Sequence, residues 1–495
     1  MSTNQLPASQ RVTNVPCHDP YLVADRRLAL ALIALATLMV GMDTAIVAVA
    51  LPSAQRELGI SDATRQWVLT AYTLAYGGLL LLGGRLADRL GHRRTLLIGA
   101  IGFVCASALS GASVSGPTLF AGRALQGAFG ALLVPSSRSL LVLIFHEPAE
   151  RARALGIYTA VLIGGAIFGF ILSGVITNYL DWRWTLYVNV PVAIVVALGV
   201  VRALPDFPGD AGIRIDLPGV VLGAGGMVAL VYGLSEAATA GWGSPTVAGV
   251  LAIAVALLVA FVVVEARVAS PLLPLRVLLD RNRAGAFIAL ACNSFANFGL
   301  LLILTYELQT VMHATPLATG LALVPWAVAS SVGAAVVGPR LMRRLPARAL
   351  LVPGSLLLAG GLALLAQLTP TSGYVPLILV AEVVQGFGAG LNGTPAVYTA
   401  LSGVRPADTG VTSAMSSTSN QIGASVGTAV LSSIAASATA AYLASSPPGP
   451  AAGGAIVHGF ATATAVGAVV LCVGAVLVGA LVNADPRGER APSGA

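Results

Sequence analysis

The chain has 495 residues, of which 56% are hydrophobic and 9% charged, and its mean hydropathy is +0.86. A soluble domain carries about a quarter charged residues, so a water-soluble globule is excluded and the apolar surface must face lipid. The 27 basic residues are all arginine and outweigh 20 acidic residues for a net charge of +7; they lie in small groups between apolar runs, not in the single basic stripe that nucleic-acid binding needs, so no nucleic-acid partner is expected.

A bilayer core of about 30 Å takes about 20 apolar residues in a helix. Runs of that order predict fourteen spans, at 28–50, 67–83, 95–114, 117–143, 154–177, 184–203, 217–235, 246–265, 284–306, 317–338, 349–368, 374–400, 409–437 and 460–482. The first is preceded by 27 residues and contains an acid, so it reads as a retained span and not a cleaved signal. With the amino terminus inside, the cytoplasmic connections and tails hold 22 arginines and the opposite side three, Arg56, Arg65 and Arg183; Arg123 and Arg138 lie within span 4. The positive-inside rule then expects a multi-pass plasma-membrane protein with both termini cytoplasmic. No connection has room for a nucleotide-binding domain and no P-loop sequence occurs, so direct ATP drive is not expected. The stretch Ser445 to Gly454 reads as a flexible external loop. Cys17, Cys105, Cys292 and Cys472 are far apart with no C-x-x-C pair, and the five histidines show no ligand spacing, so neither a disulfide framework nor a metal site is expected.

Segments recur at nearly one offset. Arg85 to Leu90 after span 2 is echoed by Arg340 to Leu345 after span 10, Gln126-Gly127 by Gln385-Gly386, and Gly165 and Gly169 by Gly423 and Gly427, at separations of 255, 259 and 258 residues. Spans 1–6 therefore correspond to spans 9–14, and spans 7 and 8 are inserted. The predicted division is a tail at 1–27, a six-helix bundle at 28–203, two inserted helices with their loops at 204–275, a second bundle at 276–482 and a tail at 483–495. Two similarly oriented halves form a parallel repeat, which encloses a midplane cavity that rocking opens to either side. The predicted fold is an all-α membrane protein of fourteen helices, and the repeat favours a transporter.

Asp43 is the sharpest chemical feature. It lies inside span 1, about 7 residues or roughly 10 Å from the outer end, where a carboxylate costs several kcal/mol unless it is paired or protonated. Burial favours its neutral form and a nearby cation its charged form, so a conformational change can switch it between holding and releasing a proton; helix packing alone is the alternative. Arg123 in span 4 falls at nearly the same depth, as does Glu382 in span 12, and the three are expected around one cavity layer. Arg138, near the inner end of span 4, is expected to snorkel.

The turn after span 2, Gly84-Arg85-Leu86-Ala87-Asp88-Arg89-Leu90-Gly91-His92-Arg93-Arg94, reads as a gating element. Gly84 is expected to admit a close helix, Gly91 to take a left-handed turn, Asp88 to meet a helix terminus or an arginine, and Arg89 and Arg93 to supply charge. Gly165, Gly169, Ser173 and Gly174 in span 5, with Gly423 and Gly427 in span 13, are small residues at the spacing that lets helix backbones meet in lipid. Polar or aromatic residues within apolar runs are the candidates for lining a largely apolar pocket suited to a lipophilic ligand: Tyr72, Tyr76, Gln126, Asn293, Asn297, Tyr306, Gln385 and Asn392. Trp67, Trp182, Trp184 and Trp242 are expected at the membrane interfaces.

These residues resemble the fourteen-span drug:proton antiporters of the major facilitator superfamily. Gly84 to Arg94 is similar to that group's G-x-L-A-D-R-x-G-R-R/K signature, with His92 where arginine is usual. Arg123-Ala124-Leu125-Gln126-Gly127 resembles R-x-x-Q-G, whose arginine is implicated in proton coupling. Asp43 followed by Pro52 resembles the span 1 acidic motif, Trp182-Arg183-Trp184 through Asn189-Val190-Pro191 the lead into span 6, and Tyr306 to Pro325 the segment joining spans 9 and 10. The span 5 motif departs from G-P-x-x-G-G, reading Gly169-Phe170-Ile171-Leu172-Ser173-Gly174 without the proline, and span 13 has no acid. The resemblance implies export of lipophilic small molecules in exchange for protons, by a monomer with no cofactor and the proton gradient as energy source, with Asp43, Arg123 and Glu382 in proton coupling and a preference for substrates other than dications. Import or facilitated diffusion by the same fold, and a membrane-embedded receptor or enzyme, are the alternatives.

Overall fold

The computed structural model describes residues 26–483 apart from 63, 146, 211, 213–215, 269–270, 274, 405–408 and 446–451. The two predicted tails fall almost wholly outside these residues, as does most of the predicted loop from Ser445 to Gly454. The described chain is helical without strands, and each predicted span has its helix: α1 Arg26–Leu58, α2 Trp67–Leu90, α3 His92–Gly111, α4 Gly116–Ile144, α5 Pro148–Tyr179, α6 Trp184–Ala203, α7 Leu217–Ala240, α8 Pro245–Glu265, α9 Arg281–Val311, α10 Pro316–Met342, α11 Arg348–Leu365, α12 Tyr374–Leu401, α13 Thr409–Ser445 and α14 Ala452–Leu481. Thirteen are long and apolar enough to cross a membrane; the described apolar stretch of α5, Gly164–Tyr179, is shorter.

Starts of helices are marked by side chains that satisfy free backbone N–H groups. Ser115 and Thr118 form a capping box on α4, Asp216 Oδ1 accepts from Gly219 N at the start of α7, and Asp280 Oδ1 accepts from Arg283 N at the start of α9. Several helices outrun their predicted limits. Notably, α9 continues past residue 306 through a wider π-helical turn, Glu307–Val311, because the apolar run carries on through Leu308 and Val311.

The internal repeat is visible as packing. α5 lies along α1 and α13 along α9; α4 packs on α2 and α3, as α12 packs on α10 and α11. Small residues set both close pairs: a Cβ on Gly169 would stand 2.8 Å from Met42 O, and one on Gly423 2.0 Å from Ala291 O. Across the halves the contacts again exchange partners, α2 with α13 and α5 with α10. Gly174 faces the backbone of Pro316 and Leu317 there, and Thr73 Oγ1 lies 2.7 Å from Ser425 Oγ. The inserted helices α7 and α8 pack on each other, with α7 against α13 and α2.

The turn from Gly84 to Arg94 differs from expectation in two respects. A Cβ on Gly84 would meet nothing within 4 Å; the close approach belongs to Gly83, whose Cβ would stand 2.0 Å from Ala131 O. Among the described residues Asp88 forms no ion pair with an arginine: its carboxylate is half-exposed, with His92 Nε2 3.9 Å away. The cause is the connection into the inserted helices, which lies over the turn. Asp210 N donates to Asp88 O at 2.9 Å, Gly91 takes φ +93°, and Cβ atoms on Gly91 and Gly209 would meet Phe207 O and Arg89 O at 2.5 and 2.2 Å. The arginines are drawn outward: Arg93 Nη2 donates to Val201 O near the end of α6, Arg94 to Asp206 in the connection that follows, and Arg85 Nη2 to Pro271 O in the segment leaving the inserted pair. The Arg89 side chain is exposed.

Candidate functional site

Asp43, near the middle of α1, is fully buried, and so is Arg123 on α4. Arg123 Nη1 donates to Asp43 Oδ2 at 2.5 Å. The other carboxylate oxygen accepts from Gln126 Nε2 at 3.1 Å and from Asn189 Nδ2 at 3.0 Å. Arg123 also donates from Nε to Val68 O on α2 and from Nη1 to Gln126 Oε1, and its guanidinium carbon lies 4.5 Å from the Tyr72 ring centroid. Ser107 on α3 closes the cluster, accepting from Gln126 and Asn189 and donating to Leu186 O. Five helices of one half thus converge on a single carboxylate. Arg123 Nη2, Asn189 Oδ1 and Tyr72 Oη are left without partners.

A buried ion pair is sustained only when hydrogen bonds replace the water each charge has lost. The Asp43 carboxylate is so supplied, by Arg123, Gln126 and Asn189, and adding a proton to it removes the charge on which the three converge. Arg123 and Glu382 occupy corresponding places on α4 and α12, 259 residues apart.

Glu382 does not join the pair. It is buried on α12, where its Oε2 is 3.1 Å from Tyr374 Oη, whose hydroxyl also lies 2.8 Å from Ala322 O. Of the acid, base and acid predicted around one cavity layer, Asp43 and Arg123 pair within one half and Glu382 stands in the other, on Tyr374.

The predicted pocket residues are likewise dispersed. Tyr72 and Tyr76 stack at 5.9 Å beside the ion pair, both buried, and Gln126 is part of the carboxylate cluster. Asn293 Nδ2 donates to Ala389 O and Asn297 Nδ2 to Asn293 Oδ1, between α9 and α12. Asn392 binds Ser355 Oγ on α11 and Gln385 packs on Gly361, both buried between α11 and α12. Tyr306 lies at the opposite end of α9 from its start, under Arg65. Arg138 does not snorkel; its Nη1 donates to Ser413 Oγ on α13, across the halves. Trp182 is buried rather than interfacial because its indole N–H donates to Glu57 Oε2 at 2.7 Å.

Three residues belong to this account that the sequence reading did not single out as functional. Asn189 and Ser107 complete the Asp43 cluster; Asn189 is a lone amide in an apolar run, and that was the available signal. Glu307, 1% exposed with Oε2 unpartnered, lies just beyond the predicted limit of span 9.

A sequence profile of the Major Facilitator Superfamily matches residues 33–428. The puromycin resistance protein of Streptomyces alboniger is 45% identical over 466 residues, covering 93% of this chain and 92% of that protein. The cephamycin export protein of Amycolatopsis lactamdurans is 41% identical over 414 residues, 83% of this chain and 85% of its own, and the tetracenomycin C resistance and export protein of Streptomyces glaucescens is 34% identical over 409 residues, 82% and 75%. Among solved structures, an inward-facing, unoccupied bacterial homologue of the human lysosomal transporter Spinster superposes with a TM-score of 0.66 at 17% identity, over 92% of this chain and 97% of that one, which establishes the shared fold. The chain belongs to the Major Facilitator Superfamily and is a multi-pass membrane transporter, not an enzyme.

Proposed function

We propose that the protein exports a lipophilic small molecule, such as an antibiotic, drug or metabolite, across the plasma membrane in exchange for protons by alternating access. The observation that carries this reading is the buried Asp43–Arg123 pair, whose carboxylate also accepts from Gln126 and Asn189, in a chain whose relatives are named for antibiotic resistance and export. In the observed state Asp43 is closed to solvent, so proton exchange belongs to the state in which the halves have rocked apart around it. Protonation there discharges the carboxylate, releases Arg123 and favours the return; substrate and proton then compete by stabilising different states. Glu382 serves as a second polar position in the partner half, and the turn from Gly84 to Arg94, held by the connections of the inserted helices, sets the balance between states.

In this reading the termini are cytoplasmic, the monomer is the working unit, no cofactor takes part and the proton gradient supplies the energy. Substrate contacts are drawn from Tyr72, Tyr76, Asn293 and Asn297. The test uses acidified inverted vesicles carrying a trapped pH dye, with a panel of antibiotics added outside. Substrate-triggered loss of the proton gradient, absent from vesicles lacking the protein, is expected. Uptake that leaves the gradient untouched contradicts exchange.

A further inference from the structure

The end of the bundle that bears Arg56 holds a cavity of about 820 Å³ that this mechanism does not use. Its walls come from both halves, the end of α1 and the α1–α2 connection on one side and the ends of α9 and α13 with the start of α14 on the other. None of Asp43, Arg123, Gln126 or Asn189 lines it. The walls differ in chemistry. Ala440, Leu443, Ile456 and Phe460 make one apolar, while Arg56, Arg65 and Gln309 stand on polar ground, with Gln55, Asp62 and His313 nearby.

The charges in this cavity are unequally engaged. Asp62 Oδ1 accepts from Arg65 Nη1 at 2.9 Å and from Gln55 Nε2 at 2.8 Å, and the Arg65 guanidinium carbon lies 3.6 Å from the Tyr306 ring centroid. Arg65 and Asp62 therefore neutralise each other as part of the wall. Gln309 Nε2 donates to Val49 O across the halves. Arg56 has only a long contact, Nη2 to Ser53 Oγ at 3.4 Å, and no carboxylate partner among the described residues. It lines the same cavity as Tyr306. A guanidinium without a counter-ion, next to an apolar wall, suits a carboxylate, whose two oxygens match its fork, and disfavours a cation.

We propose that this cavity is a second, peripheral binding site for an amphiphilic solute bearing a carboxylate, with the apolar body against Leu443 and Phe460 and the carboxylate on Arg56. The proposal goes beyond proton exchange and stands or falls separately from it. The test is equilibrium binding to the purified full-length protein in lipid nanodiscs without a gradient, using radiolabelled benzylpenicillin and its methyl ester, which share a body and differ in charge. The wild type is expected to bind the acid more tightly than the ester. Arg56→Gln is expected to weaken the acid by about tenfold, the scale of one charge-assisted hydrogen bond, and to leave the ester unchanged. Because Arg56 holds no ion pair, Arg56→Gln keeps the fold, which monodispersity and the retained ester affinity verify. Equal wild-type affinity for acid and ester, or an acid affinity unmoved by Arg56→Gln, overturns the proposal.

Discussion

Arg123 Nη1 lies 2.5 Å from Asp43 Oδ2, and neither side chain has any exposed surface. Removing one member of such a pair strands the other charge in an apolar interior, at a cost of about 3–5 kcal/mol. Arg123→Gln is therefore expected to lower thermal stability sharply in detergent, and Asp43→Asn combined with Arg123→Gln to be more stable than Arg123→Gln alone. A double variant no more stable than that single one would mean that the two charges are not coupled.

Adjacent glycines in α2 provide a contrast. Gly83→Ala drives a methyl into the backbone of Ala131, whereas Gly84→Ala meets open space. Overpacking costs about 1–3 kcal/mol or more, and alanine in a helix interior gains about 0.5–1 kcal/mol over glycine. Thermal unfolding should show Gly83→Ala well below the wild type and Gly84→Ala equal to it or above.

Tyr374 has one hydroxyl proton and two acceptors, Ala322 O and Glu382 Oε2. Satisfying both contacts takes a second proton, which a carboxyl O–H or an amide N–H can supply. Glu382→Gln is thus expected to retain stability to within about 1 kcal/mol, while Tyr374→Phe, which leaves buried acceptors unmet, costs about 1–3 kcal/mol. The reverse order in melting experiments would contradict this hydrogen-bond arrangement.

Gly209 carries the inserted connection over the gating turn, and a methyl there would collide with Arg89 O at 2.2 Å. Gly209→Ala should lift the connection, raising its sensitivity to limited proteolysis and slowing transport while substrate binding persists. Unchanged proteolysis and transport would remove the connection from the mechanism.

Helix number, the repeat and the shared depth of Asp43 and Arg123 were legible because each depends on length, offset or depth along a helix. Rotation about the helix axis was not legible. In water an apolar stripe marks the buried face, but here lipid-facing and buried faces are both apolar, as with exposed Val255 and Val259 and buried Ala254 on α8. Equal depth therefore put Glu382 in one cavity layer with Arg123 without showing that its face turns to Tyr374, and gave no hint that Asn189 and Ser107 turn towards Asp43. The π-helical turn that carries Glu307 inside has no sequence signature of its own.

Asp43→Asn, which keeps shape and several hydrogen bonds while abolishing titration, tests the central claim most directly. In proteoliposomes, substrate flux driven by a pH gradient should vanish in this variant, while gradient-free exchange of labelled for unlabelled substrate continues. Gradient-driven flux equal to the wild type would contradict the assignment of the coupled proton to Asp43.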